Sequence, residues 1–435
     1  MVNGDSQRAT RYVYCSLVLM ALVAAISKKI YDWDIWYHLT IGREIFQTLR
    51  IPAKEFFVYT QLGQPVSFHE WGFGVFLYTV YKLFGYEGMS VVNALLGASA
   101  LFLFFLAAGR ERAQIAALLL VPLFWVVDYR LMYRPEMFLF LFLGLELFVL
   151  ERFCRDRNWK WLYPLPVMAA LLNHFHPSAF FLLVVLGAYS LQFLVEAFLR
   201  DKSTLLPLFG RLAGIFAATF LASGVNPDGF EQAVLPLNFV QATALLQQVA
   251  EFIPTFNTPL KLHFIAIAVC GLLALFFQPK RRIVDWLLVI AFGYLGLRYV
   301  RNVALFAFII YLPVVGTLSA LAEKLPALKA ASARKVLWGA VAVAMVATVS
   351  VRAVDVKWGM GVLNGQFPEK AAELIKGWQP AGRLFNSYAT GGYFAWQLYD
   401  RYMVSIDGRH YGLDRSYQEN VQVFGARPGW QGVLA

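Results

Sequence analysis

Charge is scarce in this 435-residue chain: 15% of its residues are Asp, Glu, Lys or Arg, whereas 59% are hydrophobic. Runs such as Val91 to Ala108 and Ile265 to Phe277 carry no charge at all, and a water-soluble core cannot hide that much apolar surface. A soluble α/β enzyme is thereby excluded, and lipid becomes the solvent. Cysteine is equally thin. Cys15, Cys154 and Cys270 lie in or beside apolar stretches, without metal-ligand spacing or evident disulfide partners, which argues against redox chemistry. Acidic residues are outnumbered, 27 against 38 Lys and Arg, for a formal charge of +11. The basic residues sit in short clusters between apolar runs and read as topology signals, so no nucleic-acid partner is expected. A small-residue cleavage pattern is missing after the first apolar run, Tyr12 to Ile26, which leads through Ser27 into Lys28 and Lys29. That run is therefore read as the first span.

Spans of roughly 15 to 22 residues fall near 12–28, 87–108, 113–128, 136–151, 161–174, 178–199, 204–222, 262–277, 284–298, 302–321 and 335–353. That makes about eleven, with an amphipathic stretch over 230–250 that could add a shallow helix. Every second connection is basic: Arg8 and Arg11; Arg110 and Arg112; Arg152, Arg155, Arg157 and Lys160; Arg200 and Lys202; Lys280, Arg281 and Arg282; Lys324, Lys329, Arg334 and Lys335. The positive-inside rule makes these cytoplasmic, although Lys28 and Lys29 argue mildly the other way. The expectation is a transmembrane domain over 1–353, with its amino terminus inside, a first outer loop over 28–85, and an extracytoplasmic region over 354–435.

The opposite connections collect the acids, imidazoles and deep arginines, and all six histidines fall on that side or at its interface. The long first loop holds two amphipathic stretches, Trp36 to Leu49 and Glu70 to Phe84, whose aromatics suit the headgroup region, so two helices along the membrane surface are expected. At its start stand Asp32, Trp33 and Asp34, then His38. Two carboxylates at the end of a span can activate a hydroxyl or hold a divalent cation, with His38 and His69 as further ligands. Capping of the Trp36 helix by Asp34 is the plainer reading. Glu70, in the first turn of the second stretch, is likewise explained by the helix dipole alone.

Arg130 and Arg134 precede the fourth span, and Arg298 and Arg301 separate the ninth from the tenth. Snorkelling accounts for any one of them, but four on one side make a phosphate site plausible, because guanidinium matches phosphate geometry. Asn173, His174 and His176 end the fifth span, where interfacial hydrogen bonding is the common fate of a histidine pair. In the tail, Arg383 to Asn386 and Tyr402 to Asp407 read as short strands flanking a brief helix from Thr390, a small α/β element, with Asp407, Gly408 and Arg409 following the second strand.

The run from Asp32 to Leu39, with Gly42 and Arg43, Ile51 and Pro52, Gly63 to Pro65, and His69 to Trp71, resembles bacterial membrane proteins related to the GT-C glycosyltransferases. The likeness continues through Arg134 to Glu136, Asn173 and His174, Asn226 and Pro227, Arg298, Arg301 and Asn302, to Asn386 and Asp407 to Arg409, and so covers nearly the whole chain. The superfamily includes oligosaccharyltransferases, protein O-mannosyltransferases and aminoarabinose transferases. The resemblance implies an all-α polytopic GT-C-like fold in the bacterial inner membrane. It also implies transfer of a sugar from a polyprenyl-phosphate donor to a glycan, lipid or protein acceptor on the outer face, within membrane lipid. Asp34 or Asp32 would then be the base, while an arginine or a divalent cation neutralises the departing phosphate. His38, His69, Glu70, Arg130, Arg134, His174, Arg298 and Arg301 are the candidate substrate-binding residues. Protein O-mannosyltransferases carry adjacent acids, whereas Trp33 separates them here.

Two other readings remain. A transporter would carry ionisable residues in mid-span, and apart from Glu146 and Arg211 there are few. A non-catalytic scaffold of GT-C descent would display its tail to a partner.

Overall fold

The computed structural model describes residues 2–200, 202–233, 235, 250–325, 331–399, 401–409 and 415–434. Most of the stretch 230–250 and His410 lie outside them. Among the described residues a helix stands at each expected range: α1 Val2–Ile26, α2 Ile35–Thr48, α3 Trp71–Ala108, α4 Ala113–Val127, α5 Glu136–Asp156, α6 Leu165–Phe175, α7 Ala179–Arg200 and α8 Leu205–Ser223. After these come α9 Lys261–Phe277, α10 Ile283–Arg298, α11 Val303–Glu323 and α12 Ala331–Ala353. Six helical stretches, within 71–108, 110–130, 179–200, 202–223, 300–323 and 335–353, are long and apolar enough to cross a bilayer, and the chain is a multi-pass helical membrane protein. The other five expected spans coincide with helices that are shorter or more charged.

The 38 residues of α3 would reach about 57 Å if straight, well beyond the roughly 30 Å of a hydrocarbon core. Gly85 resolves this. Its φ of 67° and ψ of −165° break the helix, leaving Trp71 to Phe84 as one of the two expected loop helices and the rest as a span. A residue with a β-carbon rarely adopts that backbone.

The other loop helix, α2, departs from expectation in its surroundings. Trp36 is only 1% exposed, and Tyr37, His38 and Ile41 are buried as well. Instead of lying in headgroups, Trp36 meets Tyr86, Phe367 and Tyr393 edge-on. One face of α2 packs on α3 so closely that a β-carbon at Gly42 would strike the carbonyl of Gly74. Its other side is covered by α14 Gly391–Leu398 of the tail, where α13 is Glu369–Trp378, α15 Arg415–Phe424 and α16 Trp430–Leu434.

The two strands expected in the tail do not form a sheet. Among the described residues they survive as isolated bridges, Leu384 with Val404 and Val404 with Val58. The amide of Tyr59 donates to Val404 O at 2.9 Å, and that of Val404 donates to Phe57 O at 3.0 Å. A second partner for 402–407 thus comes from the first loop. Farther along, Lys29 and Ile30 donate to the carbonyls of Lys357 and Gly361, each at 2.7 Å. The tail is stitched to the loop at both ends.

Polar residues gather at the two ends of α5, which at 21 residues is about 30 Å long. Arg130, Arg134 and Glu136 stand at its start. At its far end Arg157 pairs with Glu196 at 2.6 Å and Arg282 with Glu151 at 2.8 Å.

Candidate active site

Asp32 and Asp34 emerge just after α1, and Asp34 occupies the position before α2 without capping it: its side chain accepts no helix amide. The capping explanation therefore does not hold. Both carboxylates turn toward Arg134, whose Nε donates to Asp32 Oδ2 at 2.6 Å, while its Nη2 lies 3.1 Å from Asp34 Oδ2. Arg130 is held in the same manner, its Nε donating to Glu136 Oε2 at 2.7 Å. The free Nη1 of each arginine meets Glu251 Oε1, at 2.8 Å for Arg130 and in direct contact for Arg134. Arg301 Nη1 approaches Glu251 Oε2 at 3.6 Å.

These groups border a cavity of about 350 Å³, lined by Asp34, His38, His69, Glu70, Arg130, Arg134 and Arg301 among the residues singled out in the sequence. Asp32 sits behind the lining, tied to Arg134. His69 is at the rim, its Nδ1 2.9 Å from Ser67 Oγ. Two expected residues are not brought in. His174 packs edge-on against Trp71 at 5.2 Å, and Arg298 lies over the ring of Tyr299; neither lines the cavity.

Glu251 and Tyr388 line the cavity without having been singled out in the sequence, and so does His176, which the sequence offered only as half of a histidine pair. His176 replaces His174 as the imidazole on the cavity, because α6 ends at Phe175 and His176 is extended, with φ −154° and ψ 135°. Pro177 could have given this away, since proline drives the preceding residue out of the helical region. Glu251, in the short turn Ala250–Phe252, belongs to no motif. Tyr388 reaches in from the tail and donates from its hydroxyl to Gly408 O at 2.8 Å.

Glu70 lies between two imidazoles, its Oε2 3.6 Å from His38 Nε2 and its Oε1 3.9 Å from His176 Nε2. Burial dominates the electrostatics. It pushes Glu70 up to about 8 and Asp34 up to about 7, the latter against the pull of Arg134 and with the repulsion of Asp32. It also drives His38 well down, and His176 down to about 3. Near neutral pH both imidazoles are uncharged, and Asp34 is poised to take a proton.

A divalent cation finds no set of three His, Cys, Asp or Glu side chains converging on one point among the described residues. Asp32, Asp34 and Glu251 are turned onto Arg134 instead. The expected ligand set of Asp32, Asp34, His38 and His69 is not assembled.

With an all-helical membrane body, a docked first loop and a cavity of acids and arginines beside it, the chain has the fold of the GT-C class. A solved structure of the Archaeoglobus fulgidus oligosaccharyltransferase in its apo form matches with a TM-score of 0.64 at 14% identity, over 97% of this chain and 68% of that one. The same enzyme in complex with Zn and sulfate matches with a TM-score of 0.60 at 14% identity, over 94% and 65%. Neither a protein family nor a curated protein matches the sequence.

Proposed function

We propose that the chain is a membrane glycosyltransferase that moves a sugar from a polyprenyl-phosphate donor to a glycan, lipid or protein acceptor. The reaction takes place on the extracytoplasmic face of the bacterial inner membrane. The observation that carries this reading is the placing of a proton-accepting carboxylate, Asp34, and of Arg130, Arg134 and Arg301 around one cavity. Asp34 takes the proton of the acceptor hydroxyl as its oxygen bonds to the sugar C1. The C1–O bond to phosphate breaks, its electron pair leaving with the phosphate, whose charge the guanidiniums neutralise.

The basic clusters at the far end of α5 support an amino terminus in the cytoplasm and the cavity outside. Nucleotide sugars are confined to the cytoplasm, so an outward-facing transferase needs a lipid-borne donor. On this reading 1–353 is the transmembrane catalytic domain, 28–85 its first outer loop, and 354–435 an extracytoplasmic region that closes over the loop.

The test is transfer by the purified protein in nanodiscs, offered polyprenyl-phosphate sugars and envelope acceptors and followed by mass spectrometry. The wild type is expected to yield glycosylated product and Asp34→Asn to yield at least 100-fold less. Equal product from both would remove the assignment of Asp34.

A further inference from the structure

Glu136 and Asp32 each clamp one edge of an arginine, so that Arg130 and Arg134 point their remaining Nη1 groups at a single place. Arg301 closes on the same place from the turn after α10. Three guanidiniums converging on a point bordering an open cavity make an oxyanion site, and in this structure its occupant is the carboxylate of Glu251. That carboxylate comes from the three-residue turn Ala250–Phe252, whereas Arg130 and Arg134 are each held by a second carboxylate, Glu136 and Asp32. It is 21% exposed, on the cavity side.

We infer that Glu251 is an internal stand-in for the phosphate of the lipid-linked donor, an autoinhibitory anion that substrate must displace from Arg130, Arg134 and Arg301. This rests on the reading of the arginines as a phosphate site. The exchange conserves charge: a sugar phosphodiester carries one negative charge, as a carboxylate does. The three guanidiniums also hold the Glu251 carboxyl far below the ordinary range, so it competes as an anion at every working pH. After transfer the released polyprenyl phosphate is a monoester with charge between about −1.5 and −2, which would cling to three arginines. Return of Glu251 helps to expel it.

The experiment titrates undecaprenyl monophosphate into nanodisc-held protein and reads tryptophan fluorescence and Tm, with inorganic phosphate as a second arm. Glu251→Gln is expected to bind undecaprenyl monophosphate about tenfold more tightly than wild type, because its site is no longer occupied. Glu251→Asp, whose shorter carboxylate reaches fewer of the arginines, should fall between. A gain with the lipid alone identifies the membrane-borne phosphate as the ligand, and an equal gain with inorganic phosphate identifies any phosphate; both keep Glu251 as competitor. Unchanged or weaker binding in Glu251→Gln overturns the inference, and should that variant not fold, unchanged or weaker binding in Glu251→Asp does so. Sugar transfer is scored separately. A protein that transfers no sugar but tightens on loss of Glu251 loses only the transferase reading, whereas an active transferase that does not tighten loses only this one.

Discussion

Gly408, in the tail, lies so close to Asp34 that a β-carbon on it would stand 2.9 Å from Asp34 Oδ1. The tail therefore sets the orientation of the carboxylate although it is more than 370 residues away in the chain. Gly408→Ala should leave the protein folded, because the obstructing atom is the tip of a side chain that can swing away. It should nevertheless cost about tenfold in transfer rate through misplacement of the base. Product assays alongside a melting curve check this: a normal rate with a normal Tm would show that Asp34 tolerates the shift.

Asp34 also sets the expected pH dependence. A base works in its deprotonated form, and burial raises this carboxyl to about 7. The rate should fall as pH drops through 7, to about one tenth at pH 6. A pH profile of initial rates measures this, and a rate flat between 5 and 8 would assign the limiting proton elsewhere.

Arg130→Gln would leave Glu136, which is 3% exposed, as a buried charge without its main partner. Removing one member of such a pair typically costs about 3–5 kcal/mol. Thermal unfolding in detergent should show a large fall in Tm, with Arg130→Lys losing less. Equal stability of the glutamine variant would mean that water reaches Glu136.

Gly42→Ala tests the seat of α2. Its new methyl would meet backbone, the Gly74 carbonyl, which cannot rotate away. Overpacking of this kind costs about 1–3 kcal/mol, and the expected result is lower Tm together with weaker protection of α2 in hydrogen exchange. Ala at Gly210, where nothing lies within reach of a β-carbon, is the control that should change neither.

Arg409 clasps the tail to the loop, donating from Nη2 to Glu55 at 3.0 Å and from Nε to Asp407 at 2.7 Å. Arg409→Gln removes the counter-charge of two buried carboxylates, Glu55 and Asp407, and should make the linkage near Pro380 more accessible to limited proteolysis. A digestion pattern identical to wild type would show that the backbone pairing at Val404 holds the tail unaided.

Much of the fold was legible because hydrophobic runs and basic clusters are long-range signals that need no partner: a helix stands at every expected span, whereas α13, α15 and α16 of the tail carry no such run and were not foreseen. The loop was harder. Trp36 reads as a headgroup aromatic since nothing in the sequence reveals that Tyr393 and Phe367, over 300 residues later, cover it. Strand patterning at 383–386 and 402–407 was real, but among the described residues it yields single bridges, from Val404 to Leu384 and to Val58 of the first loop, where a small α/β element was expected. Within the site, Asp34, Glu70, Arg130, Arg134 and Arg301 stood out by their charge at a membrane edge. His176 was eclipsed by His174 because a one-residue difference in where α6 ends decides which imidazole faces the cavity. Glu251 carries no local signature at all; only the convergence of three distant arginines gives it meaning.

The central claim is a sugar transfer that depends on Asp34 at the outer membrane face, and mass spectrometry of polyprenyl-linked sugars and surface glycans tests it most directly. Cells lacking the protein would be compared with cells carrying either wild type or Asp34→Asn at equal membrane levels. Wild type alone should restore a glycan, and Asp34→Asn should accumulate its unspent lipid-linked donor. Identical glycan and lipid-linked sugar profiles in all three strains would contradict it.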